Sequence, residues 1–503
     1  MSTQNLKTIV IAGGGTAGWM TAAALAKTLG RRYDIRLLES DEIGTIGVGE
    51  ATIPMIQRFN AVLEIDENEF IRETQGTFKL GIEFVDWGAK GESYMHGFGR
   101  IGQDLGLLSF DKYWQKLSRQ GRAAPLGAYT MSTSAAYAGR FMRPRPDMPN
   151  SPLKDITYAY QFDAGLYARY LRRYAERLGV QRIEGRITDV RLNGESGFVE
   201  SVRLANEEHV PGDLFIDCSG FRGLLIEQTL EAGFEDWSHW LPCDRAVAVP
   251  SANAGAPSPF TRATARSAGW QWRIPLQHRT GNGHVYCSRY MSDDEACAVL
   301  LANLEGERLA EPRMLRFQAG VRRESWRRNV VAIGLSSGFM EPLESTSIHL
   351  IQTAIARLVE FLPDAGFDAR DIAAYNRLAR QEYEWIRDFL ILHYKQNRRD
   401  DSPFWRDCAA MEIPASLRQR MDLYQAHGRI LREGTELFTE VSWLQVMNGQ
   451  GLVPQGHHPL VDQLSDAALF DYLEDVRKVI AQCVNVMPTQ ADYIARHCRA
   501  PAP

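Results

Sequence analysis

The chain has 503 residues, of which 45% are hydrophobic and 24% charged, a globular composition that excludes fibrous and largely disordered proteins. Lys and Arg number 57 against 62 Asp and Glu, for a net charge of -5. That balance offers no basic field for nucleic acid and no polybasic anchor for a membrane. Seven cysteines, none spaced CxxC, argue against a disulfide framework or structural zinc and point to a reducing, cytoplasmic compartment. No apolar run approaches about 18 residues, so no membrane span is expected. Nothing ahead of the first strand reads as a signal peptide.

Residues 8–12 (TIVIA) are a short β-branched apolar run, the pattern of a buried parallel strand. Gly13-Gly14-Gly15-Thr16-Ala17-Gly18 follows at once. An Ala- and Leu-rich stretch then ends at Gly30, a helix with a glycine stop. YDIRLLES supplies a second strand ending at Glu39. Segment 76–87 (GTFKLGIEFVDW) alternates like a strand, with Phe78, Leu80, Ile82 and Phe84 on one face and Thr77, Lys79 and Glu83 on the other. The pattern alone leaves Lys79 ambiguous, either on the solvated face of a half-buried strand or turned to a functional site. Residues 142–152 are Pro-rich and read as a surface loop, 162–179 as an amphipathic helix, and 187–192 with 198–204 as a β-meander. Residues 213–225 read as a buried strand and turn, and 269–290 as a hairpin turning at Gly281-Asn282-Gly283. A buried strand at 329–338 precedes an apolar helix at 347–362, for which Ser345, Thr346 and Ser347 are suitable N-caps. From about residue 364 the pattern is helical. His457-His458 has no supporting ligand cluster, so no metal site is expected and the pair reads as surface loop.

Gly13, Gly15 and Gly18 satisfy G-x-G-x-x-G, with strand, turn, helix and second strand in register and Glu39 placed 21 residues after Gly18. In this arrangement the first glycine permits the tight turn, the second lets the backbone approach a pyrophosphate, and the third lets helix and strand pack. The helix N-terminus presents N–H groups to phosphate, and an acid at the second strand's end bonds ribose hydroxyls. FAD-dependent hydroxylases end a late strand in Gly-Asp; here the corresponding NVVAIG ends Gly334-Leu335, which weakens a hydroxylase reading.

GGGTAGWMTA (13–22), IGVGEATIP (46–54), the lysine of GTFKLGIEF, DCSGFRGLL (217–225), WQWRIP (270–275) and GFMEPLESTSI (338–348) together resemble the flavin-dependent halogenases of the tryptophan halogenase family. The resemblance implies an α/β (α+β) fold, an FAD-binding Rossmann-like monooxygenase fold with a mostly helical C-terminal substrate region. The expected division is a module over 1–362, with inserted substrate-site segments at about 95–155 and 230–290, and a helical substrate-binding region over 363–503. It implies FAD used as FADH2, O2 and a halide ion, bromide or chloride, oxidised to hypohalous acid that travels internally to a lysine and halogenates an electron-rich arene. With one dinucleotide fingerprint visible, reduced flavin is expected from a separate NAD(P)H-dependent flavin reductase. A homodimer is left open, and neither nucleic acid nor a membrane is an expected partner.

Carried over residue by residue, the catalytic pair is Lys79 and Glu344. The cationic lysine would polarise the hypohalous acid, and burial would favour the neutral amine that a haloamine route needs. The glutamate would orient the electrophile and take the arenium proton. Cofactor contacts fall on Gly13, Gly15, Thr16, Ala17, Gly18, Glu39, Ala51, Gly334 and Leu335. The halide falls at Thr346 and Ser347. The passage and pocket fall on Trp270, Trp272, Ile274, Pro275, His96, Phe98 and Trp443. Two departures matter. Ser347 stands where many family members have Gly, from which a preference for bromide is expected. The stretch 436–451 contains Phe438, Glu440 and Trp443 but no Tyr-Tyr pair to grip an amino-acid backbone, so indole or a substituted indole is expected over free tryptophan. The rival readings are an FAD-dependent aromatic hydroxylase and a non-catalytic flavin-binding protein.

Overall fold

The computed structural model describes residues 6–42, 49–364 and 366–501. The opening of the IGVGEATIP motif, residues 46–48, lies outside the described residues. The chain divides into two compact units, each assembled from three stretches: 1–75, 162–244 and 316–384 in the first, and 76–161, 245–315 and 385–503 in the second.

The first unit is built on a six-stranded sheet in the order Trp326–Arg327, Val330–Ala332, Leu214–Asp217, Thr8–Ala12, Asp34–Glu39, Gln181–Glu184. All neighbours are parallel except the outer pair at Trp326–Arg327. Parallel strands covered on both faces need unbroken apolar runs, which is why TIVIA and LFID lack alternation. From Thr8–Ala12 the chain moves to Asp34–Glu39 on one side, while Leu214–Asp217 pairs on the other. The strand order reverses there and leaves a crevice at the strands' carboxyl ends, the usual nucleotide position in such sheets. The helix Thr16–Leu29 packs on the helices Ala164–Arg177 and Ser347–Glu360. Asp163 caps Ala164–Arg177 by accepting from the Leu166 amide. The meander Ile187–Leu192, Val199–Leu204, His209–Pro211 forms as expected, and its Val199, Val202 and Leu204 join Val10, Leu38, Phe215 and Val330 in one core.

The second unit is built on a seven-stranded sheet in the order Arg313–Arg316, Arg245–Ser251, Thr280–Tyr286, Gly269–Pro275, Thr261–Arg266, Gly81–Val85, Ser93–Gly97. The pair Thr261–Arg266 and Gly81–Val85 is parallel. The C-terminal part is helical, as the sequence predicts, with helices Pro403–Ala410, Ala415–His427, Glu440–Gly449, Asp466–Asn485 and Gln490–His497. Residues 142–151 carry no helix or strand.

Three expectations are corrected. Segment 76–87 is two strands. Thr77–Lys79 pairs with Ala159–Asp163 in a small sheet, while Gly81–Val85 belongs to the large one. Leu80 is the joint; its amide donates to the Pro259 carbonyl and its own carbonyl accepts from Phe98. The alternation therefore cannot be followed across residue 80, and Lys79 is fully buried rather than on a solvated face. Second, the hairpin turns at Leu276–Arg279, where the Leu276 amide donates to the Arg279 carbonyl, and Gly281-Asn282-Gly283 lies inside the strand Thr280–Tyr286. The glycine serves packing: a Cβ on Gly283 would fall 2.1 Å from the Trp272 ring. Third, Thr346 occupies the N-cap of Ser347–Glu360 without a side-chain capping bond. No helix among the described residues is long and apolar enough to cross a membrane, and the seven cysteines are free.

Because the Trp272 ring cannot share space with a methyl on Gly283, Gly283→Ala is expected to destabilise the protein by about 1–3 kcal/mol, the usual cost of overpacking. Thermal and urea unfolding of the variant beside wild type check this, with no loss as the contrary result.

Candidate active site

The glycine turn divides its labour as the fingerprint predicts. Gly13 has φ +115°, and a Cβ there would lie 2.4 Å from the Cys218 carbonyl oxygen. A Cβ on Gly18 would lie 1.9 Å from the Gly13 carbonyl oxygen, so this glycine lets the helix close on the turn. Around Gly15 a Cβ would meet no atom within 4 Å. The open position is the one at which backbone must approach a pyrophosphate, and Gly15 caps the helix without a side chain of its own. Thr16 opens that helix, and the Ala17 carbonyl accepts from the Thr21 hydroxyl at 2.7 Å.

Glu39 reaches the turn because residue 14 is glycine; a Cβ on Gly14 would fall 1.7 Å from a Glu39 carboxylate oxygen. The carboxylate accepts from Trp19 Nε1 at 3.1 Å and from Arg172 at 3.3 Å, and is paired with Arg182. Gly334 has φ +80° and sits against Ala17, whose Cβ would be 2.8 Å from a Cβ at 334. Leu335 lies in the short turn Gly334–Ser336, and buried Ala51 ends the strand Gly49–Ala51. An uncrowded glycine turn at a helix N-terminus, with a carboxylate held at the neighbouring strand's end, fits the dinucleotide part of FAD.

Gly14, Arg172, Arg182 and Asp217 were not singled out from sequence. Asp217 is buried and structural: its carboxylate accepts from the amides of Ser219 (2.9 Å), Leu225 (2.8 Å) and Ile226 (2.9 Å) and from the Ser219 hydroxyl at 2.6 Å. Its place at the end of the strand before CSGFRG was the available signal.

Glu344 is buried in the turn Pro342–Glu344. Ser345 then takes a left-handed conformation, φ +59° and ψ +39°, costly for a residue with a Cβ, and redirects the chain into the helix Ser347–Glu360. Thr346 is the N-cap and makes no side-chain capping bond, so its hydroxyl does not compete for the first-turn N–H groups of this helix. The helix is tied down by Glu382, which pairs with His349 Nε2 (3.1 Å) and accepts from the Thr353 hydroxyl (2.9 Å) and Arg357 (2.7 Å). Burial alone would raise the Glu382 carboxyl; its bonds and charges from His349 and Arg357 outweigh that and hold it below the usual carboxylate value.

In the second unit, Lys79 ends the strand Thr77–Lys79, opposite Ala159. Its neighbour Phe78 stacks on Phe141 with centroids 4.0 Å apart, and the Thr77 hydroxyl donates to the Pro275 carbonyl at 2.7 Å. Gln161 donates to that hydroxyl at 3.0 Å and accepts from Thr261 at 3.0 Å. Lys79 Nζ lies 5.4 Å from the Phe98 ring centroid, in cation–π range. His96 packs near Phe389 (5.7 Å) and Phe438 (6.2 Å). Those two rings stack at 3.8 Å, and Phe389 meets Trp443 edge-on at 4.9 Å. The Arg420 guanidinium lies 4.2 Å over Trp443 and forms a bidentate pair with Glu436, both bonds 2.7 Å. Trp270 and Trp272 lie with centroids 6.2 Å apart on the buried strand Gly269–Pro275, which also carries Ile274 and Pro275.

The structure thus brings Lys79 to Phe98, and His96 to Trp443 through Phe389 and Phe438. Phe389 was missed because nothing in a 27-residue helix marks which aromatic packs against Phe438 and Trp443. His457 pairs with Asp462 at 2.9 Å on the surface, and no cluster of three metal-capable side chains occurs among the described residues.

A parallel sheet carrying this turn and a buried lysine beside Phe98 thus occur in one chain, and comparison with known proteins gives its class, the flavin-dependent halogenases. The family model for tryptophan halogenases matches residues 8–466. The tryptophan 6-halogenase SttH of Streptomyces toxytricini is 34% identical, over 98% of this chain and 99% of its own length. The tryptophan 7-halogenase RebH of Lentzea aerocolonigenes is 36% identical, over 91% and 92%. Among solved structures, Xcc4156, a flavin-dependent halogenase from Xanthomonas campestris, superposes with TM-score 0.96 at 52% identity over 99% of this chain and 100% of that one. BrvH, a flavin-dependent halogenase from Brevundimonas sp. BAL3, gives 0.95 at 47% identity over 99% and 100%. The chain belongs to the tryptophan halogenase family and is an FADH2-dependent oxidoreductase.

The lowered Glu382 pKa fixes a sign. A carboxyl more acidic folded than unfolded contributes stability above its unfolded pKa and loses it as pH falls through the folded value. Glu382→Gln is therefore expected to be less stable than wild type at neutral pH, with the gap closing below about pH 4. Unfolding midpoints across that range check it; a gap independent of pH would contradict it.

Proposed function

We propose that this enzyme halogenates indole or a substituted indole through Lys79, with bromide preferred over chloride. The observation that carries the reading is the complete burial of the Lys79 ammonium beside the Phe98 ring. A group without exposed surface is closed to a protein partner, and the reading requires an internal passage for a molecule as small as hypohalous acid.

In this reading FAD, delivered reduced by a separate NAD(P)H-dependent flavin reductase, supplies the oxidation of halide by O2 to hypohalous acid. Gly13, Gly15, Thr16, Ala17 and Gly18 hold its pyrophosphate, Glu39 its ribose, and Ala51, Gly334 and Leu335 flank its remaining parts. The first unit is then the flavin unit, and the inserted segments with the C-terminal helices make the arene unit. The amides of Thr346 and Ser347 hold the halide, since helix N–H groups supply positive potential without a titrating side chain. Trp270, Trp272, Ile274 and Pro275 form a rigid wall that keeps organic substrate from the flavin and so prevents direct hydroxylation. Lys79 donates a hydrogen bond to the oxygen of the hypohalous acid, or carries the halogen on its amine, and the halogen becomes more electrophilic. The arene is framed by His96, Phe98 and Trp443. In the hydrogen-bonded route the ring carbon gains the halogen, the hydroxyl takes a proton from the Lys79 ammonium and leaves as water, and Glu344 takes the proton lost from that carbon, which then returns to the lysine. The stretch 436–451 supports a preference for indole over tryptophan: Trp443 is packed under Arg420, and Arg420 is already paired with Glu436.

The test is a panel of arenes with reduced FAD, O2 and equal bromide and chloride, run on wild type and Lys79→Ala. Wild type is expected to brominate indole and to turn over tryptophan more slowly. Lys79→Ala is expected to lose haloindole formation by roughly 10²–10³-fold or more, the scale of removing one oriented donor. Hydroxylated product would favour the hydroxylase. Strong regiospecific tryptophan turnover would end the indole reading, and predominantly chlorinated product the bromide one. No turnover across the panel would leave a flavin-binding protein.

A further inference from the structure

We propose that Gln445 is a positioning residue for the arene: its side-chain amide clamps Gly97 and so sets His96 and Phe98 at the aromatic site. The inference rests on the reading of Lys79 and its aromatic surroundings given above. The Gly97 amide donates to Gln445 Oε1 at 3.0 Å, and Gln445 Nε2 donates to the Gly97 carbonyl at 3.0 Å. Both residues are buried, and 348 positions separate them in sequence.

The clamp answers a defect in the sheet. Ser93–Gly97 is its edge strand and pairs on its inner side with Gly81–Val85. Phe98 N donates inward to Leu80. In an antiparallel pair, successive residues turn their N–H and C=O alternately toward and away from the partner. Gly97 therefore turns its pair outward, into a dry interior where unmet backbone groups are costly. A primary amide carries the same donor and acceptor as a peptide, so Gln445 stands in for one residue of a missing strand. Leucine at 445 would offer neither group, and an ionised glutamate only the acceptor.

The neighbours make this a point of registry. Gly449, one turn further along the helix Glu440–Gly449, would place a Cβ 2.3 Å from the Tyr94 ring, so the helix lies directly against the strand. A Cβ on Gly97 would fall 2.8 Å from the Thr133 hydroxyl, so Gly97 is also pressed by the helix Met131–Tyr137. The flanking residues of Gly97 are His96 and Phe98, and the clamping helix also carries Trp443. One amide thus joins the aromatic residues of an edge strand to those of a helix and fixes the distance of the Phe98 ring from Lys79 Nζ.

The test uses the full-length enzyme with reduced FAD, O2, bromide and indole, with a 1,3-diketone as competing trap for free hypohalous acid. Thermal unfolding is recorded alongside. Gln445→Leu is expected to raise KM for indole roughly tenfold, in keeping with two buried hydrogen bonds lost. It should also lower haloindole relative to trapped halogen and broaden the isomer ratio from a substituted indole. Gln445→Glu is expected to share these defects near pH 8 and to regain wild-type values near pH 6, because the protonated carboxyl recovers a donor toward the Gly97 carbonyl. A residue that only stabilised the fold would let the unfolding midpoint of Gln445→Glu move with pH but leave KM and the isomer ratio of the folded enzyme unchanged. An unchanged KM and isomer ratio in Gln445→Leu overturns the proposal. Should that variant fail to fold, a Gln445→Glu defect that does not vary with pH overturns it. Wild type that traps halogen but makes no haloindole contradicts the functional reading instead, before any variant is compared.

Discussion

The second unit holds one lysine side chain wholly out of water. Burying a basic group is costly unless its surroundings compensate, and Lys79 sits on a backbone held from several sides. The structure supplies that backbone by breaking the strand at Leu80. Thr77–Lys79 is gripped by Ala159–Asp163, by the Gln161 and Thr261 bonds and by the Thr77–Pro275 bond. The next residues enter a different sheet. Phe78, stacked on Phe141, anchors the strand. Lys79 lies one residue further on, in cation–π range of Phe98.

The same economy governs the glycine turn of the first unit, where crowding and openness are assigned glycine by glycine. Gly13, Gly14 and Gly18 are each required by an atom that a methyl would strike, whereas Gly15 is required by nothing within the chain. Only the last faces open space. Glu39 is oriented by Trp19 and two arginines, so its carboxylate is held in place by the chain itself. The uncapped first turn of Ser347–Glu360 follows the left-handed Ser345, and Glu382 fixes the helix from its other face.

Where the sequence could be read, it was read through local rules. The glycine fingerprint, the amphipathic helix over 162–179, the meander and the C-terminal helices each rest on neighbours within a few residues, and each is where the pattern places it. The misreadings share one cause. Alternation across 76–87 and the Gly281-Asn282-Gly283 turn were inferred from local periodicity, but a change of sheet at Leu80 and the ring of Trp272 over Gly283 decided them. Thr346 has the composition of a cap and not the bond, because its own backbone is helical, φ -90° and ψ -10°.

By itself the sequence determined the dinucleotide turn and the family motifs, because these are set by residue type at short, fixed spacing. Only the tertiary structure decided that Lys79 is buried, that Phe389 and Phe438 bridge His96 to Trp443, and that Gln445 completes the edge at Gly97. Those facts join residues up to 348 positions apart, and no local pattern records which distant side chain removes water from a charge or meets an open backbone group.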